Sequence, residues 1–204
     1  MKGLLIKDAI LIKKYCMFHI LLSILFFVMS AAGSSNLFFR FYSVVMLSII
    51  PITISAYDEQ CKWNAYETVL PISRKQTVIE KYIVVLLMTV PSTVIYSAIL
   101  LAMSHSNSGE ILVSAPLMLL CGIMPASIVL PIIFKFGYLK GRIINFIIIA
   151  IAATISIIFS GYISIDENLK MFNTTFGIIA FAAAVVIFTV SLIVSITVYN
   201  KKEF

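Results

Sequence analysis

Six stretches of the chain contain no charged residue, and short polar segments separate them. They hold 17 to 25 residues each, which is the length that an α-helix needs to cross the hydrocarbon core of a bilayer. One Asp, Lys or Arg at mid-membrane costs about 2.5–3.5 kcal/mol on insertion scales, so chance does not explain six such stretches. The pattern predicts an all-α integral membrane protein with six transmembrane helices. The predicted spans are residues 16–33, 41–57, 82–103, 111–134, 143–163 and 175–199.

The composition leaves little material for anything outside the membrane. Of the 204 residues, 61% are hydrophobic and 12% are charged, whereas soluble domains have about 45–50% and about 25%. The mean hydropathy is +1.09. Six spans use nearly all the apolar residues, and too few remain for the core of a second domain. We expect residues 1–204 to form a single transmembrane domain.

The basic residues indicate how the chain is oriented. Thirteen of the 15 Lys and Arg residues fall in segments that lie on one side of the membrane if the spans are as predicted. This bias places both termini in the cytoplasm. The net charge of +6 then reflects attraction to anionic membrane lipids, and nucleic acid is not an expected partner. The basic segments are residues 1–15, 58–81, 135–142 and 200–204.

The residue types needed for catalysis or ion coupling are missing from the predicted spans. None has an ionisable residue near its middle, where proton- or sodium-coupled transporters usually carry one. The sequence has no phosphate-binding Gly-rich loop, no Ser/His/Asp set and no metal-ligand spacing. We therefore expect no enzyme activity and no cofactor in this chain. If it moves a solute uphill, the energy comes from a partner.

The longest predicted cytoplasmic loop, residues 58–81, carries a helical pattern. Glu59, Trp63, Tyr66 and Leu70 are spaced so that they share one face of a helix. Pro71 is expected to end that helix, and an S-x-x-Q capping box at residues 73–76 to begin the next one. The aromatic face fits a groove on a soluble partner, but it also fits a helix lying flat on lipid.

An amphipathic helix is predicted for residues 1–14, ahead of the first span. Leu5, Ala9, Ile12 and Cys16 form its apolar stripe, and Lys7 lies on another line with Lys14. Such a helix lies on the inner membrane surface. Prolines recur within the later spans, where each removes a helical hydrogen bond. They fit either a helix that bends during transport or static packing around a kink.

Two motifs resemble the small ABC-2 type permeases of bacteria, including permeases similar to those of phenol-soluble modulin exporters. The first is Leu4-Leu5-Ile6-Lys7-Asp8 followed by Lys13-Lys14. The second is Trp63-x-x-Tyr66 followed by Leu70-Pro71-Ile72-Ser73-Arg74-Lys75-Gln76-x-Val78-x-x-Lys81-Tyr82. The resemblance implies a multi-pass permease subunit of an ATP-driven peptide exporter in the bacterial cytoplasmic membrane. Larger members of the family carry re-entrant elements before the last helix. In this chain the segment before the last predicted span, residues 164–174, is short.

The resemblance also implies partners and an interface. A second permease chain, identical or different, would complete the path, and ABC ATPase subunits would bind the ATP and Mg. Residues 1–14 would be the connecting helix and about 59–70 the coupling helix, with an amphipathic peptide or lipid-like substrate. The implied ATPase-coupling residues are Glu59, Trp63, Tyr66, Glu67, Leu70, Arg74 and Lys75. Two alternatives stay open: a non-transport assembly or sensor subunit, and a secondary transporter.

Overall fold

The computed structural model describes residues 2–31, 37–67, 69–70, 73–102, 108–163 and 174–201. Within these residues the chain forms nine α-helices and no strand, so the all-α prediction is confirmed. The helices are α1 Lys2–Tyr15, α2 Met17–Ala31, α3 Leu37–Ser48, α4 Ile50–Gln60, α5 Trp63–Glu67, α6 Arg74–Ala102, α7 Ser108–Phe136, α8 Tyr138–Ile163 and α9 Thr174–Asn200.

Four helical segments of the described chain are long and apolar enough to cross a bilayer. They are Phe41–Gln60, Arg74–Ile99, Ser114–Phe136 and Gly177–Asn200. Helices α1 and α2 together form a fifth candidate, bent by 69° between Tyr15 and Met17. The predicted span 143–163 falls inside α8, and the total of six spans stays a prediction. The predicted segment 164–174 lies outside the described residues except for its last residue.

The segment Phe41–Gln60 is built from α3 and α4, with a break between them. Pro51 is the second residue of α4, and Ile49 is the N-cap. A proline has no N–H to offer the preceding turn but is well tolerated at a helix start. The Ser48 hydroxyl donates to the Val45 carbonyl at 2.8 Å, and the Ser55 hydroxyl donates to the Pro51 carbonyl at 2.8 Å. These hydroxyls satisfy backbone oxygens around the break.

Helix α7 lies at the centre of the bundle and contacts α3, α4, α6, α8 and α9. At Gly122 an added Cβ would lie 2.5 Å from Val44 Cγ1, so only glycine lets α7 approach α3 this closely. A buried core joins α6, α7 and α9 farther along. Its members are Val78, Tyr82, Val85, Ala126, Leu130, Phe134 and Tyr199.

A proline in α7 creates a polar contact with α9. Pro131 has no N–H, so the carbonyl of Ser127, four residues earlier, loses its helical donor. The Ser191 hydroxyl of α9 donates to this carbonyl at 2.6 Å. The Tyr82 hydroxyl lies 2.6 Å from Ser191 Oγ and 2.7 Å from Ser195 Oγ. Hydrogen bonds between neighbouring helices therefore compensate for the proline, as membrane proteins require.

The start of α6 follows the predicted capping box. The backbone N–H of Ser73 donates to Gln76 Oε1 at 3.2 Å, and the helix begins at Arg74. The Arg74 guanidinium donates to the carbonyl of Asn200, the last residue of α9, at 3.0 Å. A cation is favourable at a helix C-terminus. The beginning of α6 and the end of α9 therefore lie side by side.

Candidate functional site: a buried charge cluster beside helix α5

Four charged side chains from three helices meet inside the protein. They come from α1, from the last turn of α4 and from the early part of α6, and we call them the charge cluster. Its members are Lys7, Asp8, Asp58 and Lys81. Two cations and two anions give the cluster no net charge. Its position places it at the end of the bundle where α4 finishes and α6 begins.

The ammonium group of Lys81 bridges both carboxylates. Its Nζ lies 2.9 Å from Asp8 Oδ2 and 2.8 Å from Asp58 Oδ2. Lys7 Nζ lies 2.8 Å from Asp58 Oδ1 and 3.3 Å from Asp8 Oδ1. The side chains of Lys81 and Asp8 are 3% and 1% exposed. Removing one partner from such a buried set leaves a charge without compensation, which costs about 3–5 kcal/mol.

Glu80 lies next to the charge cluster and is fully buried. Neither oxygen of its carboxyl group accepts a hydrogen bond within the described chain, and the carboxyl group lies against that of Asp8. Glu80 is a third carboxyl group beside Asp8 and Asp58, in a region with little access to water. Its sequence neighbour Lys81 already pairs with both aspartates.

Helix α5 is joined to the charge cluster through Trp63. The ammonium group of Lys7 lies 4.5 Å from the centre of the Trp63 ring, a cation–π contact. The Trp63 and Tyr66 rings lie 5.5 Å apart. Trp63 is half-buried, whereas Tyr66 is 59% exposed and Val69 is 82% exposed. The segment therefore has an inner side that contacts α1 and an outer apolar side.

Glu67, the last residue of α5, is buried on the side of the charge cluster. Burial raises the pKa of its carboxyl group to about 7, although the ammonium groups of Lys7 and Lys81 favour the ionised form. The negative charge of Asp58 raises the pKa further. Its Oε2 atom has no hydrogen-bond partner within the described chain. Glu67 therefore changes its charge near neutral pH.

A small cavity of about 30 Å³ opens beside the cluster. Its polar lining includes Asp58, Thr77 and Lys81, and its apolar side includes Ile133 and Tyr199. This volume holds one or two water molecules, and the lining offers them hydrogen-bond partners. The cavity borders the charge cluster on the side of α7 and α9.

The structure corrects the predicted helix 59–70. Helix α4 ends at Gln60, Lys62 has a positive φ of 53°, and α5 begins at Trp63. A residue in the left-handed region interrupts the helical hydrogen bonds, so Glu59 does not share a helix face with Trp63. Pro71 and the predicted role of that residue as a helix end lie outside the described residues.

Glu59 has a different position from the predicted one. Its Oε2 atom accepts a hydrogen bond from the backbone N–H of Tyr138 at 2.5 Å. Tyr138 is the first residue of α8, and a carboxylate there satisfies a free N–H and the helix dipole. Glu59 therefore fixes the α7–α8 connection and does not extend the exposed aromatic segment.

The other residues of the predicted coupling set are dispersed around the same end of the bundle. Leu70 is half-buried, and Arg74 and Lys75 are exposed at the start of α6. Arg74 contacts α9, as described above. The structure thus brings Trp63, Tyr66 and Glu67 together on α5 and distributes the rest. Their assignment to a partner interface stays a prediction.

The buried face of α1 is rotated from the predicted stripe. Leu5, Ile12 and Cys16 pack into one apolar cluster as predicted, but Ala9 is exposed. Asp8 is fully buried in its place, with Leu4 one turn before it. Helix α1 turns this face inward because the charge cluster holds Asp8 against Lys81.

Sequence reasoning missed the charge cluster. Its members come from three separate parts of the chain, and the sequence pattern places Lys7 on a polar line of α1. One signal was available, since Leu4, Asp8 and Leu11 follow a helical spacing and place Asp8 among apolar residues. Such a charged residue on an apolar face requires a partner of opposite charge. The identity of that partner, Lys81, depends on the fold.

A family model described as "ABC-2 family transporter protein" matches residues 3–200. The match covers nearly the whole chain, from the start of α1 to the end of α9. Comparisons with curated proteins and with solved structures gave no match.

Proposed function

Because the chain belongs to the ABC-2 family of transporter proteins, we propose that it is the permease subunit of an ATP-driven exporter. Partner ATPase subunits bind ATP and Mg, close on each other, and press on the cytoplasmic end of this chain. The family match over residues 3–200 carries this proposal. The predicted orientation with cytoplasmic termini places α5 on the ATPase side.

We call α5 together with Val69 and Leu70 the α5 segment. Its exposed side is the surface that we assign to the ATPase. Tyr66 and Val69 are exposed apolar residues on one short segment, and exposed residues of this kind bind well in a groove of a soluble partner. Arg74 and Lys75 are exposed nearby and supply charge that orients docking. Trp63 lies on the inner side of this segment and connects it to the charge cluster through its contact with Lys7.

The charge cluster is suited to pass motion of α5 into the membrane. A displacement of α5 reaches Lys7 through Trp63, and Lys7 is bonded to Asp58 at 2.8 Å. Lys81 then joins both aspartates to α6. Buried ion pairs at these distances resist separation. Helices α1, α4 and α6 therefore move together when α5 is pushed.

Two permease chains, identical or different, enclose the transport path in this proposal. The described helices expose broad apolar faces, as on α2 and α9. Away from the charge cluster and its neighbouring carboxyl groups, several hydroxyls between helices are engaged in hydrogen bonds. An apolar path with scattered hydroxyl groups favours an amphipathic peptide or a lipid-like substrate over a sugar or an ion.

Replacing Tyr66 and Val69 with alanine tests the assignment. The tagged chain is expressed in its native host, and the amount of ABC ATPase that co-purifies is measured. We expect Y66A/V69A to reduce it at least about fivefold, because the docking surface is lost. The matched control is I6A/I10A, which removes two residues that are 61% and 63% exposed on α1.

Two results would count against the proposal in different ways. If the unaltered chain brings down no ABC ATPase, the exporter function is wrong. If the ATPase is bound but Y66A/V69A binds it as well as the control does, the α5 segment is not the coupling surface.

The charge cluster also favours a second candidate, a transporter driven by an ion gradient. Such proteins carry buried ionisable groups, and Glu80 is a buried carboxyl group that lies against the Asp8 carboxyl group and accepts no hydrogen bond in the described chain. Transport by vesicles that hold the chain and an ion gradient but no ATP would favour this candidate. Transport that requires ATP and stops when the ATPase is inhibited would exclude it.

A further inference from the structure

The connection between α7 and α8 is a fixed turn with a cationic outer surface. Gly137 has a φ of +85°, and its N–H donates to the Ile133 carbonyl at 2.9 Å. The Glu59 carboxylate closes the turn, since its Oε1 atom would lie 2.9 Å from a Cβ at Gly137. Tyr138 packs into an apolar cluster with Ile52 and Val129. The turn is therefore held in place from the inside.

Three cations project from this turn, and we call them the basic turn: Lys135, Lys140 and Arg142. All three are exposed, and within the described part of the chain none forms an ion pair. Lys135 Nζ and Lys140 Nζ lie 4.9 Å and 5.2 Å from the centre of the Phe136 ring. Two ammonium groups beside one ring concentrate positive charge at a single place.

An exposed apolar stripe continues from the basic turn along α8. Leu139, Ile143 and Phe146 follow helical spacing and are 74%, 62% and 58% exposed. The Arg142 guanidinium lies 5.6 Å from the Phe146 ring, at the border between charge and stripe. The candidate membrane span of α7 ends at Phe136. A bilayer crossed by this span would have its headgroups at the level of the basic turn and its apolar region along the stripe.

We propose that the basic turn and the α8 stripe form a binding site for one anionic phospholipid of the adjoining leaflet. Lys135, Lys140 and Arg142 hold the phosphate, and an acyl chain lies along Leu139, Ile143 and Phe146. Charge complementarity selects the headgroup, and the exposed apolar stripe selects a lipid over a soluble phosphate. The first N–H of α8 is taken by Glu59, so the side chains carry the binding. This lipid binding does not depend on the transport function.

The test is a titration of the purified full chain in detergent with phosphatidylglycerol or phosphatidylcholine, with bound lipids counted by native mass spectrometry. We expect phosphatidylglycerol to bind at least about tenfold more tightly. The variant K135Q/K140Q/R142Q should lose roughly 10- to 100-fold of that affinity, since each cation near the surface contributes. The control K13Q/K14Q/K201Q changes the net charge equally and should bind as the unaltered chain does.

Further variants separate the phospholipid from other occupants. L139S/I143S keeps every cation and should weaken phosphatidylglycerol binding, whereas the conservative variant K135R/K140R should retain it. Glycerol 3-phosphate, the headgroup without acyl chains, should not compete. The proposal would be overturned if K135Q/K140Q/R142Q and K13Q/K14Q/K201Q lost the same affinity for phosphatidylglycerol. Equal binding of the two lipids, or competition by glycerol 3-phosphate, would also overturn it. So would L139S/I143S if it changed the oligomeric state and left lipid binding unchanged, because a second copy would then cover the stripe.

Discussion

Lys81 contacts two carboxylates at once, and its burial depends on both of them. Its Nζ lies 2.8 to 3.0 Å from three oxygens of Asp8 and Asp58. An ammonium group this deeply buried is stable only when paired. Each carboxylate is likewise tolerated only because of Lys81 and Lys7. The four residues therefore stabilise the protein as one unit, and none can be assessed alone.

Replacing Lys81 with methionine tests this interdependence. The change keeps the length of the side chain but leaves Asp8 and Asp58 with Lys7 as their sole cation in the cluster, at a cost of about 3–5 kcal/mol. We expect the apparent melting temperature of the purified protein to fall by roughly 10 °C. Lys75→Met, an exposed change on the same helix, should have little effect. Equal melting temperatures for the two variants would contradict the role of the cluster, and D8L/K81M should recover part of the loss.

Glu67 gives the same end of the bundle a dependence on pH. Its pKa is about 7 in the folded protein, against an ordinary value of 4.5, so the folded state binds the proton more tightly. The stabilisation from this group is complete below about pH 4.5 and is lost as the pH rises through 7. The charged groups that act on it are Lys7, Lys81 and Asp58.

We expect the unaltered chain to lose up to about 3 kcal/mol of stability from this group between pH 4.5 and 8. Glu67→Gln stays neutral, and its melting temperature should fall less over the same range. The measurement is the difference in melting temperature between the two proteins as a function of pH. A difference that does not vary with pH would mean that Glu67 keeps an ordinary pKa.

At the scale of elements, helix ends and helix interruptions have local causes. The capping box at Ser73 and Gln76 starts α6 where the sequence predicts. Pro131, by contrast, acts between elements, because the carbonyl that it leaves free is satisfied by Ser191 of α9. Of the two interpretations of the prolines, the hydrogen bond from Ser191 to the Ser127 carbonyl favours static packing at Pro131.

A double-mutant cycle between Ser191 and Pro131 measures this contact. Ser191→Ala leaves the Ser127 carbonyl without a donor and should cost about 1–3 kcal/mol. In a Pro131→Ala background the new N–H serves that carbonyl, so the same change should cost less. The control is Thr189→Ala, because the Thr189 hydroxyl is exposed and bonds to Val185 of its own helix. If the losses in free energy of unfolding from the two changes simply add, Pro131 and Ser191 act independently.

At the scale of the whole molecule, the open question is which side of the membrane each end occupies. The orientation is predicted from the bias of basic residues, and the structure provides a natural probe for it. Cys61, between α4 and α5, is exposed, whereas Cys16 is buried and Cys121 is half-buried. A reagent that does not cross membranes therefore reports the location of the α4–α5 turn through one thiol.

We expect a membrane-impermeant maleimide to label the chain in inside-out vesicles and not in intact cells, because the turn faces the cytoplasm. Cys61→Ser should abolish the labelling, which shows that the other two cysteines do not react. Labelling of intact cells would reverse the orientation, and with it the assignment of α5 to an ATPase. The readout is the amount of labelled protein after purification.

The sequence by itself determined the all-α membrane class of the protein and the start of α6, because burial of apolar side chains and capping are local properties. Charge-free stretches predict helices of membrane length, and Ser73 with Gln76 predicts the start of α6. The motif around Trp63 and Tyr66 resembled the family that the chain belongs to. Each of these signals lies within a few turns of one helix.

Only the tertiary structure decided which distant residues meet. The pairing of Asp8 and Asp58 with Lys81 spans three helices, and no local spacing encodes it. The same holds for Glu59, which caps α8 across a long separation in sequence. The structure also decided that Lys62, with its positive φ, divides the helix predicted at 59–70. Buried charges and free backbone groups require partners, and the folded bundle alone determines where those partners lie.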